Sequence, residues 1–93
     1  MRSFRPEDKL SRAQEILSTE IDQETILMSI DAGAYYGLKG PAQSIWEKLK
    51  IPMTFSDLVE LLVKEYRITP EVCAADLKVF LAEMEREGLL RVE

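Results

Sequence analysis

Few residues in this 93-residue chain could do covalent or acid–base chemistry. Histidine, the commonest general base and metal ligand, is absent, and Cys73 is the single cysteine. A nucleophilic thiol needs a base, and Cys73 lies on the apolar side of a predicted helix, so we expect it in the core. The aspartates lack metal-loop spacing, and the sequence has no glycine-rich phosphate loop. We therefore predict a protein that is not an enzyme and that holds no metal or cofactor.

The sequence has more candidates for binding residues than for catalytic residues. The first are two adjacent tyrosines, each of which offers apolar area and a hydroxyl. They belong to a stretch without charge or proline, Ala34-Tyr35-Tyr36-Gly37-Leu38. At the edge of a sheet, such a segment presents unpaired N–H and C=O groups to which an extended peptide can pair. One tyrosine should face the resulting groove and the other the opposite face of the sheet. Which one faces the groove is open at this point, and both could be ordinary packing residues.

A second set of candidate binding residues lies on the last predicted helix, which runs from Thr69 to about Glu87. Its core stripe should consist of Cys73, Leu77, Phe80, Leu81 and Met84. The flanking face carries Val72, Asp76, Val79 and Glu83 at i+3 and i+4 spacing. A mixed apolar and acidic face beside an open edge suits a peptide with apolar anchors and a basic residue. The alternative is an ordinary boundary of an amphipathic helix. We predict that these four residues and Phe80 form a second wall of the groove.

The elements that must position these residues follow one another in a simple order. Residues 13–38 read as three short strands, and Ile26, Met28 and Ile30 alternate with Thr25, Leu27 and Ser29. The turns fall at Asp22-Gln23 and Asp31-Ala32-Gly33. Helices should start at Gly40-Pro41, Thr54 and Thr69-Pro70, and Gly88 should end the last one. This predicts an α+β fold: a three-stranded antiparallel sheet followed by three helices.

The ends of the chain carry weaker patterns. Residues 1–12 are polar, and we expect a flexible N-terminal arm there, with the alternative of a lead-in that packs through Phe4 or Leu10. Residues 13–93 should form the single domain. After Gly88, Leu89-Leu90-Arg91-Val92 could form a short extended piece against the sheet.

Charge and hydropathy exclude several partners. With 12 Lys and Arg against 17 Asp and Glu, the net charge is −5, and no basic stripe is present. Nucleic acid and anionic membranes are therefore unfavourable partners. A winged-helix DNA-binding domain is the more distant alternative, and the acidic character of the last helix speaks against it. The N-terminus lacks the apolar core of a secretory signal, and no apolar run could span a bilayer, so we expect a cytoplasmic protein.

The sequence resembles the PqqD-like family, also called RiPP recognition elements, from about residue 15 to 92. Leu27-Met28-Ser29-Ile30-Asp31 and Gly33-Ala34-Tyr35-Tyr36-Gly37-Leu38 resemble the central part of the family pattern. Gly40-Pro41-Ala42-Gln43-Ser44-Ile45-Trp46 is similar to its turn into an Ile-Trp helix. Thr54-Phe55-Ser56-Asp57-Leu58 and Gly88-Leu89-Leu90 resemble later parts. Lys39 departs from the pattern, since the family usually has Asn there.

The resemblance implies a winged-helix-like fold and a function in binding. Members hold the leader segment of a ribosomally made precursor peptide as an added strand, in a groove that the last helix walls. The expected partners are that leader peptide and a processing enzyme. A free-standing chain of this kind looks most like the leader-binding proteins of lasso-peptide pathways, which serve a leader peptidase. The alternative is a pyrroloquinoline quinone biosynthesis chaperone that serves a radical S-adenosylmethionine enzyme.

Overall fold

The computed structural model describes residues 3–93, which form two three-stranded antiparallel sheets and three helices. In chain order the elements are β1 (Lys9–Arg12), β2 (Ile16–Ile21), β3 (Glu24–Ser29), β4 (Ala34–Leu38), α1 (Pro41–Lys48), β5 (Met53–Thr54), α2 (Phe55–Tyr66), α3 (Pro70–Arg86) and β6 (Leu90–Val92). The predicted α+β class is confirmed. The predicted meander is the sheet β2-β3-β4, and a second sheet, β5-β1-β6, was not predicted.

The hairpin between β2 and β3 determines which way the backbone groups of the meander point. Asp22 and Gln23 both have positive φ, 49° and 66°, as a two-residue type I′ turn requires. The flanking residues Ile21 and Glu24 are opposite each other and therefore exchange both backbone hydrogen bonds. Backbone groups alternate in direction along a strand, so Glu24 points toward β2 and Thr25 toward β4.

One face of the meander packs on the helices. Thr25, Leu27 and Ser29 are buried, whereas the alternating Ile26 and Met28 lie on the outer face and are half-buried. The predicted period of two is therefore confirmed, with a polar–apolar–polar set on the inner face. Thr25 is tolerated there because its hydroxyl accepts a hydrogen bond from the side-chain amide of Gln43, at 2.9 Å.

The N-terminal segment corrects a prediction. We expected residues 1–12 to be a flexible arm; residues 1 and 2 lie outside the described part of the chain, and residues 9–12 form the middle strand of the second sheet. Leu10 is fully buried, and the Phe4 ring stacks on Phe55 at a centroid distance of 5.9 Å. The lead-in that packs through Phe4 and Leu10 is therefore the correct alternative. A strand of four residues with one buried apolar side chain carries too little periodicity to be recognised.

Strand β1 also fixes the first helix. The Arg12 guanidinium donates two hydrogen bonds to the backbone carbonyl of Trp46, at 3.0 and 2.6 Å, and lies over the Trp46 ring. Partial burial lowers the pKa of Arg12, yet the group keeps its charge because an arginine pKa is so high. The end of α1 is therefore tied to the sheet that holds both ends of the chain.

The helix boundaries follow the predicted caps. The Thr54 hydroxyl accepts from the backbone N–H of Asp57, and the Thr69 hydroxyl accepts from that of Val72. Gly88, with φ of 77°, follows the end of α3. The α3 stripe is buried as predicted except for Phe80, which is half-buried. In α2, Leu61 and Tyr66 are 41% and 37% exposed.

Candidate functional site

The outer edge of β4 is open in the part of the chain that the structure describes. Its inner edge pairs with β3 from Ala34 opposite Ser29 to Leu38 opposite Thr25. Since Thr25 directs its backbone toward β4, Leu38 and Tyr36 use their N–H and C=O groups in that ladder. Tyr35 and Gly37, which alternate with them, direct theirs to the open edge. The N-terminal segment does not cover this edge, because β1 pairs with β5 and β6.

The two tyrosines of β4 point to opposite faces, and the structure shows which is which. Tyr36 lies opposite buried Leu27 and packs against the core, whereas Tyr35 is 74% exposed on the outer face. The Tyr36 hydroxyl donates a 2.9 Å hydrogen bond to Oε2 of Glu87, just beyond α3. This bond raises the pKa of the Tyr36 phenol above its ordinary value. Tyr36 is therefore the tyrosine that faces α3 across the groove.

The predicted face of α3 is accessible. Val72 and Val79 are 52% and 53% exposed, and Asp76 and Glu83 are exposed as well. Two exposed valines on one helix, near two exposed acidic groups, leave apolar area uncovered on this face of α3. Their role in binding stays a prediction.

An apolar pocket of about 350 Å³ lies where α1, α2 and α3 meet. Its lining consists of Pro41, Ala42, Ile45, Leu62, Tyr66, Ile68, Cys73, Asp76, Leu77 and Phe80. The predicted site residues Asp76 and Phe80 are therefore brought together there, whereas Val72, Val79 and Glu83 lie outside the lining. The pocket begins at Pro41, which Lys39 and Gly40 connect to the end of β4.

The electrostatics of the pocket are simple. Asp76 is the one charged residue of its lining, and Cys73 is buried. Burial, and then the charge of Asp76, raise the pKa of the Cys73 thiol, so the thiol stays protonated at neutral pH. Within residues 3–93, no three side chains of metal-ligating type converge. The pocket can take an apolar group, and its one carboxylate can meet a polar or cationic neighbour.

Sequence reasoning missed the pocket residues that lie outside β4 and α3. Pro41 indicated only the start of a helix. Nothing in the local sequence around Ala42, Tyr66 or Ile68, which is 37% exposed between α2 and α3, indicated a pocket. The one signal in the sequence is that the connections between elements carry apolar residues. Whether such residues meet in one pocket depends on the tertiary fold, which the local sequence does not show.

Comparison with known proteins agrees with this geometry. Residues 24–90 match the protein family described as coenzyme PQQ synthesis protein D, PqqD. The match covers most of the chain, from β3 to the first residue of β6, and the chain belongs to this family. The predicted resemblance is thereby confirmed. A search of curated proteins found no match.

Two solved structures share the fold. One, TbiB1 in complex with the TbiA(beta) leader peptide, has a TM-score of 0.77 and 26% identity, over 85% of this chain and 93% of that chain. The other, lasso peptide synthetase B1 complexed with the leader peptide, has a TM-score of 0.77 and 20% identity, over 88% and 96% of the two chains.

None of the helices within residues 3–93 is long and apolar enough to cross a membrane.

Proposed function

We propose that this protein binds the leader segment of a ribosomally synthesised precursor peptide and presents it to a processing enzyme, without catalysing a reaction itself. The leader adds as a strand to the open edge of β4, and its apolar anchor enters the pocket between the helices. The observation that carries the proposal is an uncharged, unpaired strand edge together with an apolar pocket of about 350 Å³ whose lining begins at Pro41, three residues after β4.

Backbone pairing provides the part of the binding affinity that is the same for any extended guest peptide. Tyr35 and Gly37 offer their N–H and C=O groups to the open edge, and no charge or proline in β4 discourages pairing. Strand addition of this kind is insensitive to the sequence of the guest, so side-chain contacts must provide selectivity.

Selectivity comes from the inner face and the pocket. Side chains of the added strand that point inward meet Tyr36 and the exposed face of α3, with Val79 and Glu83. A chain that continues past Leu38 reaches Pro41, where the pocket begins. The pocket volume lies at the lower end of the range for small-molecule sites, which suits one or two large apolar side chains. Asp76 would favour a basic neighbour of that anchor.

The relatives support the same function. The structure that is 26% identical contains a bound leader peptide, and the other similar structure is described as a lasso peptide synthetase component with its leader. We therefore favour a leader peptidase of a lasso-peptide pathway as the partner enzyme. The family description, coenzyme PQQ synthesis protein D, is the basis for the second candidate: a peptide chaperone for a radical S-adenosylmethionine enzyme. Co-purification with each purified enzyme, with and without peptide, distinguishes the two.

Amide hydrogen exchange tests strand addition directly. Peptides are selected on the immobilised protein from a displayed library of randomised linear peptides, and the tightest is added to labelled protein. We expect the amides of Tyr35 and Gly37 to become protected, because they gain hydrogen bonds to the guest strand. The amides of Tyr36 and Leu38, already bonded to β3, should change little.

The opposite edge of the meander, β2, provides the internal control. Protection confined to β2, or a selected peptide that protects no amide of β4, would contradict the proposal. Chemical-shift changes at Ala42 and Ile68 in the same spectra test whether the anchor occupies the pocket.

A further inference from the structure

We infer that Glu24, whose carboxylate lies over Gly37, selects a basic side chain on the outer face of the bound peptide. The inference rests on the proposed addition of a strand to β4 and deepens it, because it concerns the face of the sheet away from α3 and the pocket.

The geometry starts at Gly37, in the middle of the open edge. The side chain of Glu24 crosses from β3 onto β4 and approaches the position that a Cβ of Gly37 would occupy: Cγ is 3.9 Å away, Cδ is 3.3 Å away, and Oε2 is closer still. Any side chain at residue 37 would therefore displace the carboxylate. The φ angle of Gly37 lies outside the left-handed region, so the backbone does not require glycine there. What the glycine provides is room for the carboxylate.

The Glu24 carboxylate has no hydrogen bond or ion pair within residues 3–93. The paired residues on the outer face of β3 and β4 are uncharged: Met28 lies opposite Tyr35, and Ile26 lies opposite Gly37. Lys39 follows β4 and is exposed, but it makes no ion pair with Glu24. Glu24 is half-buried as a residue, and its carboxylate lies on this face without an ion-pair partner in residues 3–93.

An added strand places a side chain beside this carboxylate. Neighbouring strands lie roughly 4.8 Å apart, and residues that face each other have Cα atoms about 5.5 Å apart or less. The guest residue opposite Gly37 that points to the outer face meets no side chain from Gly37. A lysine or arginine there can lie across the glycine and reach Glu24. A carboxylate guest residue at that position would be repelled, and an apolar one would leave the Glu24 charge unpaired.

The experiment is the peptide selection, repeated on three proteins: wild type, Glu24→Gln and Gly37→Ala. Wild type should enrich peptides with lysine or arginine at one fixed position relative to the apolar anchor. Replacing that residue by glutamine should weaken wild-type binding about two- to fivefold, the range for a partly exposed ion pair. The same replacement should have no effect in Glu24→Gln.

Gly37→Ala tests the geometry separately from the charge. The added methyl group displaces the Glu24 carboxylate, while Glu24 itself is still present. The preference of the protein for a basic peptide residue should therefore shrink or move to a neighbouring position of the peptide. Lys39→Ala removes the nearest competing cation in the chain and should sharpen the preference. Circular dichroism of each variant verifies that the fold is retained.

The outcomes separate this inference from the proposed function. Enriched peptides that protect the β4 amides without a basic preference, or with the same preference in Glu24→Gln, would overturn the role of Glu24 and leave strand addition intact. A selection that enriches no peptide, or only peptides that leave β4 unprotected, would overturn both.

Discussion

The meander has two open edges, β2 and β4, and only one of them has the surroundings of a binding site. Strand β2 is longer, with six residues against five, and almost entirely exposed. Its outward backbone groups belong to Ile16, Ser18 and Glu20, because Ile21 pairs inward with Glu24. The strand includes the charged Glu20, whereas β4 is uncharged. Glu15 lies immediately before β2, with φ of 63°.

The surroundings differ even more than the edges. A wide polar cleft lies beside β2 and is lined by Glu20, Gln23, Gly40, Gln43, Ser44, Glu47, Lys48, Glu65 and Tyr66. Several of these groups are already paired: Lys48 and Ser44 both donate to Glu65, and Gln43 donates to Thr25. On the β4 side, Tyr36 contacts Glu87 just beyond α3, and the lining of the apolar pocket begins at Pro41, three residues after the strand. An unpaired strand edge can select among guest peptides only where neighbouring side chains are free to make hydrogen bonds or apolar contacts with the guest.

The largest expected effect comes from a proline at the open edge of β4. Tyr35→Pro removes a backbone N–H that points outward, so the fold is retained while peptide binding weakens by more than about tenfold. Tyr35→Ala serves as the side-chain control, and Ser18→Pro is the matched change on β2, with no expected loss of binding. Calorimetry with a selected peptide and circular dichroism measure both quantities. Equal losses of peptide affinity in Tyr35→Pro and Ser18→Pro would show that β4 is not the preferred edge for binding.

Position 36 is the informative contrast within β4. Tyr36→Pro removes an N–H that points to β3, so we expect thermal destabilisation together with lost binding. The hairpin register places the backbone N–H of Tyr35, and not that of Tyr36, at the open edge, so Tyr35→Pro is the substitution that tests the edge with the fold retained. If Tyr36→Pro proved as stable as Tyr35→Pro, the assigned direction of the backbone groups would be wrong.

Filling the pocket should have the next largest effect. Ala42→Leu adds apolar volume at the entrance without harming helix α1, and we expect peptide affinity to fall about tenfold as the anchor is displaced. Ser56→Leu, at an exposed position of α2 outside the pocket lining, is the matched control and should bind as wild type does. Unchanged affinity in a folded Ala42→Leu protein would show that the guest does not use the pocket.

A charge reversal at the pocket should have a moderate effect. Asp76→Lys is expected to weaken binding of a peptide with a basic residue near its anchor by about three- to fivefold, with a smaller loss at high salt. Asp31→Asn, in the exposed turn before β4, controls for a general loss of negative charge. Fluorescence titrations at two salt concentrations measure the difference. Equal affinities of wild type and Asp76→Lys would show that Asp76 is not part of the binding site.

The smallest effect concerns the cleft beside β2. Hydrogen bonds from Lys48 and then from Ser44 lower the pKa of Glu65, so this carboxylate stabilises the fold above its ordinary pKa. That contribution is lost as pH falls through the lowered pKa, which lies below the ordinary value for a glutamate. Lys48→Met should reduce the melting temperature slightly at neutral pH, with the difference vanishing in acid, and leave peptide affinity unchanged. Thermal melts across pH test this, and a binding defect in Lys48→Met would show that the cleft takes part.

Much of the fold could be predicted, because local signals agree with the final structure. The caps at Thr54 and Thr69, the glycine stop at Gly88 and the meander all follow from residues adjacent in sequence. Strands β1 and β5 could not be predicted, since strands of four and two residues show no usable periodicity and exist only through pairing with distant segments.

The candidate site divides in the same way. The uncharged stretch of β4 is visible in the sequence, whereas the orientation of Tyr36 depends on the hairpin register. The pocket needs α1, α2 and α3 in place, so Ile68 and Pro41 carry no recognisable signal alone. The carboxylate over Gly37 likewise depends on a diagonal contact between two strands.

The pairing of β1 with β6 has a consequence for engineering. Lys9 and Glu93 exchange backbone hydrogen bonds at 2.9 and 2.8 Å, in the sheet that does not contain β4. The segment before Lys9 stays on the fold, because Phe4 is buried against Phe55 and the backbone N–H of Ser56 donates to the carbonyl of Pro6. A tag or tether attached after Glu93 would therefore leave the protein from the second sheet and keep the open edge of β4 accessible.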